Sequence, residues 1–135
     1  MRKAKKKKWN EIGLKYALNG LWQAFKSGKN LKIAAIAAAA VIILAICFST
    51  SAIENAILAI TIGLAISAEL FNSAIEKTVD VSCDDILSKE LKKDPINHNA
   101  KLAKDISAGA ALVTALTALV VGIIIFLPKI IAWLS

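Results

Sequence analysis

The chain has 135 residues, 57% of them hydrophobic, and a mean hydropathy of +0.62. That is too apolar for a soluble domain of this size to bury, and long enough for one small domain only. The formal charge is +7, but ten of the 17 basic residues lie within 2–32, six within 77–104 and none within 33–76; such alternation of basic and apolar blocks marks loops sorted by membrane side and excludes nucleic acid as a partner.

Residues 1–8 form a lysine cluster suited to anionic lipid head groups. Residues 12–25 read as an amphipathic helix lying on the membrane surface. Leu14, Leu18, Leu21, Trp22 and Phe25 share one face, Lys15, Asn19, Gln23 and Lys26 another, and Trp9, Tyr16 and Trp22 suit the head-group layer. Residues 27–30, with Gly28 inside, signal a turn. Residues 1–30 are thus expected to be the basic tail and surface helix. The charge-free run 33–48, extended to 31–49, is expected to cross the bilayer. It begins too late in the chain for a signal peptide. Cys47 in this run and Cys83 in a polar segment are expected at different depths, unpaired and without metal-ligand spacing.

After a short polar break at 49–55, a second apolar run continues without a Gly or Pro stop into an acidic segment. One long helix is expected over 53–81. Near its end Glu69, Asn72, Glu76 and Asp80 are spaced three, four and four residues apart, which places them on one narrow helix face. Potential anions at a bilayer edge are costly unless a cation, a proton or a polar ligand shares the site. Hard carboxylate oxygens suit Mg²⁺ or Ca²⁺ rather than zinc, and Mg²⁺ is typically held by one or two carboxylates plus substrate phosphates.

Residues 82–101, with Pro95 and His98, read as a polar loop with helical character over 84–93. A third membrane helix is expected over 102–127, ended by Pro128. Lys104 and Asp105 enter it at the depth of the acidic face, where a lysine can hold a phosphate as a point charge. Carboxylates, a metal and a phosphate-binding lysine are the parts of a phosphoryl-transfer site, and Glu69, nearest the bilayer, is placed to take a proton from a lipid hydroxyl. A plainer alternative is a set of ion pairs at a helix end, with Lys77 or Lys104 as partners. No Walker-type or protein-kinase glycine loop occurs, so a standard ATP-binding fold is excluded. The basic residues place the N-terminus, the 82–101 loop and the acidic face in the cytoplasm, and the 49–55 turn and C-terminus outside.

These residues also carry a family resemblance. Glu69 to Asp80, reading ELFNSAIEKTVD, resembles the E-x-x-N-S/T-A/S-I/L-E-x-x-x-D signature of the small bacterial integral-membrane diacylglycerol kinases, a family that includes undecaprenol kinases. Ala103 to Ala110, AKDISAGA, is similar to its second signature, A-K-D-x-A/G-A/S-A/G-A. Tyr16 to Leu21 and Ile125 to Ile130 resemble weaker family motifs. The resemblance implies an all-α membrane protein: an N-terminal amphipathic surface helix and three transmembrane helices, assembled as a homotrimer in the cell membrane. It implies an ATP- and Mg²⁺-dependent kinase acting on diacylglycerol or undecaprenol. By that resemblance Glu69 is the general base, Glu76 binds Mg²⁺, Asn72 and Asp80 order the site, Lys104 and Asp105 contact the nucleotide, and Tyr16 lies near it. One departure stands out: Gly28 occupies the position of a second metal-binding glutamate. Either fewer carboxylates hold the metal, or a neighbour such as Glu11 substitutes, or activity is reduced. The rival expectation is therefore a catalytically impaired paralogue acting as a non-enzymatic membrane assembly protein. A cation channel fits less well, because the acids gather at one end of the membrane segments.

Overall fold

The computed structural model describes the backbone of residues 9–86 and 95–135 and the side chains of residues 13–81 and 98–135. The lysine cluster at 1–8, the side chains of Glu11 and Cys83, and most of the helical stretch expected over 84–93 lie outside the described residues. The described chain forms four helices and no strand: α1 (Trp9–Ser27), α2 (Lys29–Cys47), α3 (Ala52–Ile86) and α4 (Pro95–Leu134). Three segments are long and apolar enough to cross a membrane: Lys29–Cys47, Ala52–Val81 and His98–Leu134.

The breaks between helices are shorter than the polar segments suggest. The turn expected over 27–30 contracts to Gly28 alone. Its φ of −85° and ψ of 116° leave the helical region, although its N–H still donates to the Ala24 carbonyl at 2.7 Å. Ser27 closes α1, its hydroxyl donating to the Gln23 carbonyl at 2.8 Å. The α2–α3 corner turns through Ser49, whose φ of 47° is left-handed. Ser51 and Glu54 then start α3 as a reciprocal capping box. The Ser51 N–H donates to the Glu54 carboxylate at 2.7 Å and the Glu54 N–H to the Ser51 hydroxyl at 3.3 Å.

α4 departs from expectation at both ends. It begins at Pro95 rather than near residue 102, so His98 is an exposed helical residue and not a loop residue. It also runs through Pro128 to Leu134. Proline removes one backbone donor, but unwinding the helix in an apolar membrane segment would leave several backbone groups unpaired, so continuing to Leu134 costs less.

α3 and α4 are the most extensively paired helices. The residues α4 withdraws from its surroundings include Lys104, Ser107, Ala111, Thr114, Ala118, Val121 and Ile125. On α3 they include Leu58, Ile62, Ala65, Glu69, Asn72 and Glu76. Both series step by three and four residues, the alternation that keeps one seam facing a nearly parallel or antiparallel neighbour. Small residues on α4 (Ser107, Ala111, Ala118) let the backbones approach. Near the corner end of the seam Leu58, Ile125 and Phe126 form a buried cluster, with Phe48 tilted against Phe126 at 6.4 Å between ring centres. Beyond it Lys129 pairs with Glu54 at 3.2 Å, clipping α4 to the start of α3. Glu54 thus has a structural role that the sequence reading did not give it. At the other end the same α3 seam turns polar.

Candidate active site

Glu69, Asn72 and Glu76 are not a surface stripe; they are the seam of α3 continued with polar residues. Leu58, Ile62 and Ala65 precede them in the same three-and-four rhythm. Side chains that would otherwise be apolar core are here carboxylates and an amide, and each must be satisfied.

Asn72 is 3% exposed and is held from both sides. The Ser107 hydroxyl on α4 donates to Asn72 Oδ1 at 2.6 Å, and Asn72 Nδ2 donates to Glu76 Oε1 at 3.3 Å. One chain of hydrogen bonds therefore runs from α4 through a buried amide to the Glu76 carboxylate. One turn further along α3, Lys104 Nζ meets Asp80 Oδ1 at 2.8 Å. A residue expected to order the site and one expected to contact the nucleotide are thus ion-paired, the arrangement the plainer alternative anticipated. The pair is partly exposed (36% and 61%), so it contributes little to stability, on the order of 0–1 kcal/mol. It does fix the lysine ammonium beside the acidic seam.

Glu69 lies one turn deeper and behaves differently. Its Oε2 is buried and finds no hydrogen-bond partner among the described residues. A buried carboxylate oxygen without a donor is expensive and implies that a proton, a cation or a ligand hydroxyl completes the site. The same side chain borders a cavity of about 630 Å³ between α2, α3 and α4. Ala34, Ala38, Ala65, Ala118 and Gly122 leave room for this cavity, and Glu69 and Asn30 are the polar residues that line it. On α4 its lining runs from Ala115 to Ile130, roughly 22 Å at 1.5 Å per residue. The trough is therefore long, apolar along its length and acidic at one end.

The remaining expected site residues are less engaged. Tyr16 on α1 is 66% exposed, and Asp105 is exposed one residue beyond Lys104, on a different side of α4. Glu69 and Asp80 are separated along α3 by about 16 Å. The expected set thus divides into a deep acid, a central Ser107–Asn72–Glu76 chain and an outer Lys104–Asp80 pair. Ser107 is the residue the sequence reading missed as a functional group, treating it only as a small packing residue. Its signal was present: it is a serine where the second signature carries alanine or glycine.

The α1–α2 corner docks beside this site. Lys77 Nζ donates to the Ser27 hydroxyl at 2.8 Å, which places an ammonium at the negative end of α1. Gly28 is selected by crowding and not by its backbone angle. A Cβ there would stand 2.9 Å from the Ala24 carbonyl oxygen and 3.7 Å from the Ser73 hydroxyl of α3. Any side chain at position 28 must displace the Ala24 carbonyl of α1, whereas the Ser73 hydroxyl of α3 stands at ordinary contact distance. Gly28→Ala is therefore expected to cost about 1 kcal/mol, read as a lower melting temperature in detergent. Gly28→Glu is expected to show the same cost together with a lower Mg²⁺ requirement than Gly28→Ala. Equal Mg²⁺ requirements in the two variants would mean that a carboxylate at this position adds no metal ligand.

Oxygen donors in this number suit a hard cation. Among the described residues no group of three or more His, Cys, Asp or Glu side chains converges. Protein carboxylates alone do not enclose an ion here, so a cation at Glu76 would complete its coordination with phosphate and water oxygens, as Mg²⁺ does. The donor set fits that group.

Three membrane-length helices, with a half-buried acidic seam and an apolar trough bordered by a carboxylate, describe a multi-pass membrane protein. The family model described as prokaryotic diacylglycerol kinase matches residues 15–126, and the chain belongs to that family of lipid kinases. It is 40% identical over 114 residues to an undecaprenol kinase of Bacillus subtilis, covering 84% of this chain and 85% of that one. It is 33% identical over 121 residues to a diacylglycerol kinase of Synechocystis, covering 90% of this chain and 64% of that longer one. No solved structure matches the chain.

Proposed function

We propose that the protein transfers the γ-phosphate of ATP to the primary hydroxyl of a membrane lipid alcohol, diacylglycerol or undecaprenol, at the cytoplasmic face of the membrane. The single observation that carries this reading is the Glu69 oxygen, buried without a donor at the acidic end of an apolar trough. A lipid alcohol supplies what that oxygen lacks. Its hydrocarbon fills the trough, its hydroxyl donates to Glu69, and Glu69 takes the proton as the hydroxyl oxygen attacks phosphorus. The attack is in line and the leaving group is the β-phosphate oxygen of the nucleotide.

Glu76, oriented by Asn72, would hold Mg²⁺, whose charge would offset that of the phosphates. Lys104, steadied by Asp80, lies at the same depth and attracts the nucleotide, with Asp105 and Tyr16 towards its outer parts. α1 lies on the head-group layer, its Leu18, Trp22 and Phe25 facing a second trough against Leu31, Ile66 and Leu70. The distribution of basic residues supports a cytoplasmic N-terminus. The family resemblance implies assembly as a homotrimer, and with only five apolar residues buried among those described, apolar surface remains for lipid and for other copies.

Vesicles carrying the protein and a single lipid alcohol test this reading. With γ-labelled ATP and Mg²⁺, label is expected in the extracted lipid from vesicles of diacylglycerol, of undecaprenol, or of both. Label in neither would favour the non-enzymatic alternative.

A further inference from the structure

The buried chain from Ser107 to Glu76 contains one hydroxyl proton with two acceptors. Ser107 Oγ stands 2.6 Å from Asn72 Oδ1 and 2.8 Å from the backbone oxygen of Lys104. A hydroxyl has one proton and can also accept. Ser107 can therefore serve Asn72 in two ways. It donates to Oδ1, or it turns its proton to the Lys104 carbonyl and accepts from Nδ2. The amide permits both, since a half-turn about χ2 exchanges its oxygen and nitrogen with little change of shape. Asn72 and Ser107 are 3% and 6% exposed, so each polar atom must find its partner within the protein.

The far end of the chain distinguishes the two states. With Nδ2 towards Glu76 Oε1 at 3.3 Å, the amide satisfies a carboxylate that holds no cation. After a half-turn, Oδ1 takes that place, about the same distance from Oε1. Two bare oxygens there would repel one another, but neighbouring corners of an Mg²⁺ octahedron with bonds of ~2.1 Å lie about 3.0 Å apart. The 3.3 Å spacing of Asn72 and Glu76 is within a few tenths of an ångström of such an edge, so a small shift would let both oxygens reach one cation.

We infer that Asn72 is a two-state group: it donates to Glu76 when no cation is bound, and it turns its Oδ1 to become a ligand of Mg²⁺ when one arrives, with Ser107 satisfying the amide in both states. Ser107 is then a positioning residue that acts on the metal through Asn72. No bond other than hydrogen bonds and metal–ligand contacts changes in this step. The inference rests on the proposed Mg²⁺ reading of Glu76.

Titration with Mn²⁺ as the probe, followed by loss of the free-ion paramagnetic resonance signal, tests it without reference to turnover. Purified full-length protein in detergent is compared with Ser107→Ala, Asn72→Ala, the double variant and Glu76→Ala. Loss of a group that orients a metal ligand weakens binding on the order of tenfold, and that is the change expected for Ser107→Ala, beside the modest drop in melting temperature that follows from removing the buried donor to Asn72 Oδ1. Because Ser107 acts through Asn72, the double variant is expected to bind no more weakly than Asn72→Ala. In the wild-type protein, selectively ¹⁵N-labelled at asparagine, Mg²⁺ is expected to shift the Asn72 side-chain amide resonance, a readout that does not depend on any variant folding. Wild-type affinity in Ser107→Ala, additive losses in the double variant, or an Asn72 resonance indifferent to Mg²⁺ would overturn the inference while leaving Glu76 as a ligand. Failure of the wild-type protein to bind Mn²⁺ more tightly than Glu76→Ala would overturn the metal reading and this inference together.

Discussion

Glu69→Gln is expected to lower lipid phosphorylation by roughly 10²- to 10⁴-fold, the usual contribution of a positioned general base. Glutamine keeps the shape of the side chain and its place on the α3 seam, but it cannot take a proton. The structure adds a second expectation that separates chemistry from folding. The buried Oε2 of Glu69 has no donor among the described residues, so a carboxylate here is a burden on the fold. Replacing it with a neutral amide should leave the melting temperature in detergent unchanged or raised. An inactive variant at least as stable as the parent would locate the proton acceptor at residue 69. Turnover close to that of the parent would remove Glu69 from the mechanism.

Glu76→Ala should have an effect of similar size for a different reason. Metal-borne charge stabilisation in a phosphoryl-transfer site is worth several kcal/mol, and a loss of about 3–4 kcal/mol slows the reaction by two to three orders of magnitude. The substitution also leaves Asn72 Nδ2 without the acceptor it has at 3.3 Å, so some destabilisation should accompany the loss, on the order of 1 kcal/mol. The diagnostic variant is Glu76→Asp. It retains a carboxylate but draws it back by one methylene, so its Mg²⁺ dependence should move to higher concentrations while activity at saturating Mg²⁺ partly recovers. If Glu76→Asp and Glu76→Ala failed alike at every Mg²⁺ concentration, the role of Glu76 would be structural.

Much of the arrangement was legible in the chain because lipid imposes simple rules. Charge-free runs of membrane length fixed the existence of three long helices, and the spacing of Glu69, Asn72 and Glu76 fixed a common face. Helix ends were less legible, because capping depends on local contacts that composition does not encode. A polar segment at 27–30 shrank to Gly28, since Ser27, Lys29 and Asn30 are all helix-compatible and glycine is the weakest helix former of the four. Pro128 looked like a stop, but the helix continues through it to Leu134, because ending it among apolar residues in lipid would leave several backbone groups unpaired where proline removes one donor. Pairings across the seam were hidden for another reason. Ser107 with Asn72, Lys104 with Asp80, and Lys129 with Glu54 are far apart in sequence and depend on the register of α4 against α3. A sequence shows each face but not the offset between two faces, so Lys104 could be read as a phosphate ligand or as an ion-pair partner, and Ser107 as a spacer.

In the proposed reaction, carboxylates on one helix seam, where water meets lipid, promote direct transfer of the γ-phosphate from a nucleotide to an alcohol held in the trough. Its most direct test is transfer of label from γ-labelled ATP into extracted lipid, by purified protein in bilayers containing diacylglycerol and undecaprenol together. Mg²⁺-dependent labelling by the parent chain that is lost on chelation and in Glu69→Gln is the expected result. Unlabelled lipid at saturating Mg²⁺ and ATP, or labelling that survives chelation, would contradict it.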